Sequence, residues 1–226
     1  DHPAAREGRT RYPAMVRHAS GAKGRRVLKS GHNNGKIGRV VKKGKWAGYP
    51  IWTLTLEERA TCPRSCQQWH DCYGNKMHFA ERLIPGPALE NRISAELAEH
   101  QVTNPGGFVV RLHILGDFYS LDYVVRWRDW LKKYPAVHVF GYTAWPMNDS
   151  AIGLAVRGLR DRWPDRFVIR FSDQDDPEGW TTEVIEDALD ASPGSIICPA
   201  EQHKTACCAT CTLCWATSRK IAFLRH

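Results

Sequence analysis

GGFVVRLHILGDFYSLDYVVRWRDWLKKYP, residues 106–135, is the stretch from which the rest of the chain can be read. Its first ten residues are dominated by apolar and β-branched side chains, with Gly106 and Gly107 at one end and Gly116 just past the other. That composition predicts a strand over 106–115. From Ser120 the period changes: Val124, Trp127 and Leu131 fall on one helical face, Ser120 stands where a cap is wanted, and Pro135 stops the run. A helix is therefore predicted over 120–135.

The same alternation extends both ways. Upstream, GYPIWTLTL (48–56) reads as a strand, and residues 76–100 as a helix interrupted at IPGP (84–87). Downstream come a strand AVHVFGY (136–142), a helix NDSAIGLAVRGLRDRWP (148–164) and a strand RFVIRFS (166–172). A helix TTEVIEDALDASP (181–193), a short strand GSIIC (194–198) and a closing helix WATSRKIAFLRH (215–226) complete the expectation. Strands joined through helices by short connections imply right-handed crossovers and a parallel sheet. Five strands are too few to close an eight-stranded barrel. The expected class is α/β: an open or partial barrel of parallel strands with one core over 48–226, an extended basic N-terminal arm over 1–47 and a cysteine-rich C-terminal segment.

Charge sets the arm apart. Residues 1–45 carry thirteen Lys and Arg against Asp1 and Glu7, a balance of +11, whereas the other 181 residues carry nineteen against twenty-two, a balance of −3. The arm is Gly-rich and lacks apolar periodicity, so it reads as extended, ligand-dependent or wrapped on the surface. Arg25, Arg26, Lys29, Lys36, Arg39, Lys42, Lys43 and Lys45 would suit a nucleic acid, DNA or RNA, through phosphate contacts and counterion release. A solvated basic tail is the plainer alternative. No apolar run of spanning length and no apolar leader occurs, so no membrane partner and a cytoplasmic location are expected.

In a parallel sheet the loops after the strands emerge on one edge, where ligands bind. Those loops here hold ERATCPRSCQQWHDCYGNKM, GDFYS, TAWPMND, SDQDDPEGW and CPAEQHKTACCATCTLCW. Both cysteine groups are thus expected on one rim: Cys62, Cys66 and Cys72 upstream, and Cys198, Cys207, Cys208, Cys211 and Cys214 downstream. A disulfide framework suits small secreted domains better than a chain with its own core. Structural zinc could use Cys211-x2-Cys214 with His70, His78 or His203. Three cysteines at two-residue intervals (208, 211, 214) with a remote Cys198-Pro199 fit a [4Fe–4S] cluster better, and two such clusters are expected.

On the same edge, Asp117 is the candidate general base or amine acceptor, with capping of the following helix as its plainer role. His113, four residues earlier, is a second catalytic candidate or a core histidine. Gly116, Tyr142, Thr143, Ser172 and Asp173 are candidates for holding a cofactor; Tyr142, Thr143 and Trp145 could instead be rim packing, and Ser172, Asp173 and Asp175 an ordinary turn. Trp69 and Trp215, beside cysteines, would shield a cluster from water.

The element order, with three cysteines after the first strand and Gly116-Asp117 after the second, resembles the radical S-adenosylmethionine superfamily. The spacing departs from it: that superfamily has C-x3-C-x2-C, whereas here the first gap is three residues and the last five. The resemblance implies S-adenosylmethionine as a ligand of an open iron. A wider set of motifs resembles a phage family known as gene product eighty-eight and its bacterial relatives. They are the loop from Thr61-Cys62-Pro63 to Cys72-Tyr73, RLHILGDFYSLDYVVRWRDWL (111–131), Tyr142-Thr143, Ser172-Asp173, Cys198-Pro199, CATCTLCW (208–215) and Phe223-Leu224-Arg225-His226. This resemblance implies cysteine-bound iron–sulfur. Eight cysteines leave two arrangements open. Either a downstream cysteine crosses over and saturates two clusters, or one of Cys207 and Cys208 is spare and the upstream cluster keeps an open iron. Saturation is the mildly favoured expectation.

Overall fold

A computed structural model describes residues 2–20 and 25–225; Asp1, residues 21–24 of the expected arm and His226 at the end of the expected closing helix lie outside the described residues. The N-terminal half contains α1 (Pro3–Glu7), β1 (Val16–Arg17), β2 (Lys29–Ser30), β3 (Ile51–Thr53), β4 (Arg82–Leu83), α2 (Pro87–Thr103) and β5 (Phe108–Leu112). Then follow α3 (Leu121–Lys133), β6 (Val137–Thr143), α4 (Ala151–Arg162), β7 (Phe167–Ser172), β8 (Thr181–Ile185), β9 (Ile196–Ile197), α5 (Cys208–Cys211), α6 (Leu213–Ala216) and β10 (Ile221–Leu224).

Eight strands form one sheet in the order β2-β3-β5-β6-β7-β8-β10-β9, while β1 and β4 pair separately. Within the large sheet only β2 against β3 is antiparallel. Among the described residues the sheet is open, with β2 and β9 as its edges, so the α/β class and parallel pairing hold and the strands do not close into a barrel. Side-chain alternation along the strands builds two cores. Phe108, Val110 and Leu112 of β5 pack with Leu89, Ile93 and Leu97 of α2, Val124, Trp127 and Leu131 of α3, and Val156 of α4. On the other face Val109, Phe140, Val168 and Ile221 meet the arm (Ile37, Val41, Trp46) and the cysteine segment (Cys198, Ala209, Cys214, Trp215). The sheet is thus a partition, with helices on one side and the arm and cysteine segment on the other.

Two expected helices are strands. Residues 181–193 form β8 and then a short 3-10 turn at Ala188–Asp190; Thr181, Thr182, Val184 and Ile185 are β-branched, and tertiary pairing to β7 and β10 outweighs the helix-like charge spacing that follows. At the C-terminus, helix is confined to the short α5 and α6, and Ile221–Leu224 inserts as β10 between β8 and β9. The expected helix over 76–100 begins only at Pro87, whose fixed φ suits a first turn, and Arg82–Leu83 pairs with Val16–Arg17 instead. Helices α3 and α4 start as expected, capped by Ser120 and Ser150, whose hydroxyls accept from the backbone N–H groups of Tyr123 and Gly153.

The described part of the arm wraps on the surface. Val27, Leu28, Val41 and Trp46 are buried, and β2 joins the large sheet. No helix among the described residues is long and apolar enough to cross a membrane.

Candidate functional site

Strand ends, the arm and both cysteine segments surround one cavity of about 320 Å³. Cys62, Cys66 and Cys72 line it from the loop after β3, and Cys198, Cys208 and Cys214 from the C-terminal segment. Gly116, Asp117, His113, Tyr142, Thr143, Ser172 and Asp173 also line it. A second hollow of only about 10 Å³ adjoins it, walled by Cys198, Cys208, Cys211 and Cys214. All eight cysteines are free thiols, so no disulfide framework exists. Among the described residues no three His, Cys, Asp or Glu side chains are drawn close enough to hold a metal ion as they stand.

The upstream loop is held by charges that the sequence reading passed over. Arg82 and Glu58 form a wholly buried ion pair, with Nε donating to Oε2 at 2.8 Å and Nη2 to Oε1 at 3.1 Å. Arg82 also donates to the carbonyls of Gly74, Met77 and Ala80, which fixes the chain beyond Cys72. Arg59, in a left-handed conformation (φ 66°), donates to Trp69 O and to Asn75 Oδ1 across the same loop. Glu57 accepts from Arg9 Nε at 2.7 Å and so ties α1's neighbourhood to the loop. Their one sequence signal is the charged run EER (57–59) between a strand and a cysteine loop. Trp69 is buried and donates to Ala5 O, sealing the loop against α1.

The three upstream thiols interact electrostatically with one another. Burial pushes Cys62 well up, with the nearby Asp117 adding to it, while burial takes Cys66 to about 11. Apolar walls favour neutral thiols; a cationic metal would reverse that preference.

Asp117 is the best-built polar group of the site. Its Oδ1 accepts from Phe118 N (2.7 Å) and Thr143 Oγ1 (2.8 Å), and its Oδ2 from Ala144 N (2.7 Å). It does not cap α3, which is Ser120's task; it clasps the end of β6 to the end of β5. Burial raises its carboxyl to about 7, against the pull of those three hydrogen bonds. A carboxylate offers about four acceptor positions, so one remains on Oδ2. Gly116 makes the turn possible: its φ is +83°, and a Cβ there would lie 2.5 Å from Thr61 Oγ1 and 2.6 Å from Leu56 Cβ. His113 is buried, pushed down to about 3 by burial and then by Arg111, and held by Tyr123 Oη at 3.2 Å. It is a neutral core histidine with one ring edge at the cavity.

Downstream, Cys208 and Cys214 share a hydrogen bond that pushes the Cys208 thiol up and brings Cys214 down to about 6 against the effect of burial. Tyr142 Oη donates to Cys214 Sγ at 2.9 Å. Adjacent cysteines part company: Cys208 faces both hollows, whereas Cys207 lines neither and lies against Gly38, where a Cβ would stand 2.7 Å from its Sγ. Trp215 is buried and stacks on Trp46 at 5.3 Å. His70, His78 and His203 are exposed and line neither hollow, so they complete no zinc set there. Asp173 lines the cavity while its Oδ1 accepts from Val184 N; Asp175 is turned to solvent and paired with Lys220 at 2.5 Å. Trp145 donates to Phe118 O and packs at the rim.

The arm's cations divide. Arg25 and Lys29 pair with Glu81, Arg26 with Glu99, Lys36 with Glu201 and Lys45 with Asp165. Arg39, Lys42 and Lys43 are exposed and have no ion-pair partner among the described residues. The arm's backbone is bonded to the cysteine segment: Cys208 N donates to Lys36 O, Ala209 N to Ile37 O and Lys42 N to Ala209 O.

Compared with known proteins, the chain matches no family model, no curated protein and no solved structure.

Proposed function

We propose that this chain is an iron–sulfur protein performing redox or radical chemistry at the carboxyl edge of its sheet. The observation that carries the reading is the meeting of six thiols, from segments more than a hundred residues apart, around one cavity that also contains Asp117. The donor set is all sulfur, the chemistry of iron–sulfur ligation. Cys198, Cys208, Cys211 and Cys214 would saturate one cluster. Cys62, Cys66 and Cys72 would hold another and leave one iron position to a ligand, since Cys207 is turned away from the cavity. When bound, such clusters supply one-electron transfer, and an open iron binds a ligand such as S-adenosylmethionine.

The chain's own groups then have definite tasks. Asp117, with one acceptor position left, takes a hydrogen bond or a proton from a ligand amine. Ser172 and Asp173 offer further polar contacts in the cavity lining. Phe223 and Ile114 make parts of the lining apolar, which restricts water.

A second reading has one observation in its favour. The hollow among the four downstream thiols holds about 10 Å³, room for a single ion, which suits structural zinc in a non-catalytic module that binds nucleic acid through Arg39, Lys42 and Lys43. Anaerobic purification with iron, sulfide and zinc analysis separates the two. The first reading expects about eight iron and a reducible brown absorbance for two cubes. It also expects a change in the electron paramagnetic resonance signal on adding S-adenosylmethionine, lost when Cys62, Cys66 and Cys72 are replaced by Ala. A colourless zinc protein overturns it.

A further inference from the structure

Two guanidinium groups lie buried near the downstream cysteines, and among the described residues neither has a carboxylate partner. Arg111 of β5 lines the cavity, nine-tenths or more buried, with its charge over the rings of Tyr142 (4.4 Å) and Phe140 (5.5 Å). Among the described residues its guanidinium donates to the carbonyl of Leu112 alone. Arg170 of β7 is fully buried and donates to the carbonyls of Cys214 (2.9 Å), Arg219 (2.9 Å), Thr181 (3.3 Å), Leu213 (3.5 Å) and Thr217. It therefore also ties down the turn bearing Cys214.

A buried charge needs an opposite one nearby, or it destabilises the fold by several kcal/mol. Here both cations converge on Cys214: Arg170 donates to its carbonyl, and Arg111, which shares the cavity wall with Cys208 and Cys214, stacks on Tyr142, whose hydroxyl donates to Cys214 Sγ. Four thiolates around a divalent zinc or a doubly charged cube leave a net charge of about −2. Two guanidinium groups balance it.

We infer that Arg111 and Arg170 are the built-in counter-charge of an anionic metal–thiolate centre held by Cys198, Cys208, Cys211 and Cys214. This rests on the reading that these cysteines bind a metal centre, though not on whether the metal is iron. Arg111 is a positioning residue: it stabilises the more negative, reduced form and so raises the centre's potential. Among the described residues the loop bearing the upstream thiols has no such pair of buried, carboxylate-free guanidiniums. Of the buried charged groups there, Arg82 pairs with Glu58, Arg59 donates to carbonyls and Asn75, Glu57 accepts from Arg9 and Thr10 N, and Glu58 accepts also from Thr10 Oγ1.

The test uses the full chain carrying Cys62→Ala, Cys66→Ala and Cys72→Ala, so that only the downstream set can bind metal. Arg111→Gln and Arg111→Lys are compared for iron, sulfide and zinc per chain and by potentiometric titration. Arg111→Gln is expected to lose more than half of the metal. Alternatively, if it keeps the metal, its reduced-to-oxidised ratio at fixed potential falls at least tenfold, which is about 59 mV for one electron. Arg111→Lys stays within threefold of the parent. If Arg111→Gln does not fold, Arg111→Met, which fills the same volume without charge, takes its place.

Parental metal content and ratio in Arg111→Gln or Arg111→Met overturn the inference while leaving the iron–sulfur reading intact. A parent loaded with zinc overturns the iron–sulfur reading, and zinc lost in Arg111→Gln but kept in Arg111→Lys then supports the inference. A downstream set that takes up no metal overturns both.

Discussion

Removing Glu58 should loosen the whole upstream cysteine loop, and the size of the effect follows from its surroundings. Glu58 and Arg82 are 1% and 0% exposed, and they share two hydrogen bonds, at 2.8 and 3.1 Å. Thr10 Oγ1 donates a third, at 2.7 Å, to Glu58 Oε1. Glu58→Ala strips the carboxylate from a guanidinium that water cannot reach, at a cost of about 3–5 kcal/mol. That is a large part of the ~5–15 kcal/mol that stabilises an ordinary domain. Glu58→Gln keeps the shape and some of the acceptors and should cost roughly 1–3 kcal/mol. The double variant Glu58→Leu with Arg82→Met removes both charges and should recover most of the loss. Denaturant unfolding of the metal-free chain measures each value, and iron bound per chain reports whether Cys62, Cys66 and Cys72 still converge. An alanine variant within about 1 kcal/mol of the parent, or a double variant as unstable as the two singles added, would refute the reasoning.

Four further outcomes are expected. Gly116→Ala forces a Cβ to 2.5 Å from Thr61 Oγ1 at φ +83°, and should destabilise on the order of 1–3 kcal/mol while displacing Asp117; thermal unfolding checks it. Cys207→Ser should keep the parental iron content and Cys208→Ser should lose downstream iron, because only Cys208 faces the hollows; equal losses would contradict the assignment. His100, buried against Trp52, is held at about 4, below its ordinary 6.5, by burial and then by Arg26. In that interval the unfolded chain binds the proton and the folded one does not, so stability falls as pH drops from 6.5 toward 4, by up to roughly 3 kcal/mol. His100→Phe should flatten that part of the pH profile in denaturation curves. Finally, replacing Arg39, Lys42 and Lys43 together by Gln should reduce the salt slope of any nucleic acid binding by up to about 3, read by fluorescence anisotropy; an unchanged slope would remove them as phosphate contacts.

The strands that sequence reading found are those whose apolar runs are long enough to be recognised locally. Residues 106–115 and 136–142 announce β5 and β6 without help from elsewhere. β10 is four residues long, IAFL, and becomes a strand because β8 and β9 offer edges on both sides. No window around 221–224 contains that information. The cysteine rim was legible because topology alone brings strand-following loops together. Its supports were not: Glu58 and Arg82 are 24 residues apart and meet only after the loop has closed. Arg111 left a clear mark, a charge inside an otherwise apolar strand, and Asp117's task was hidden by the helix start three residues on.

The arm shows most plainly why net charge is a weak guide to partners. Its +11 balance suggested a polyanion, yet five of its eight named cations face acidic side chains of the same chain. What holds the arm is apolar and backbone chemistry. Leu28 and Trp46 are buried, and three backbone hydrogen bonds join residues 36–42 to residues 208–209. These bonds enclose Cys208, so the position of its thiol depends on the arm being in place. A metal that fixed Cys208 and a partner that fixed the arm would therefore stabilise the same arrangement, and each would strengthen the binding of the other by the same factor. The basic segment is part of the wall of the cysteine site before it is a surface for anything else.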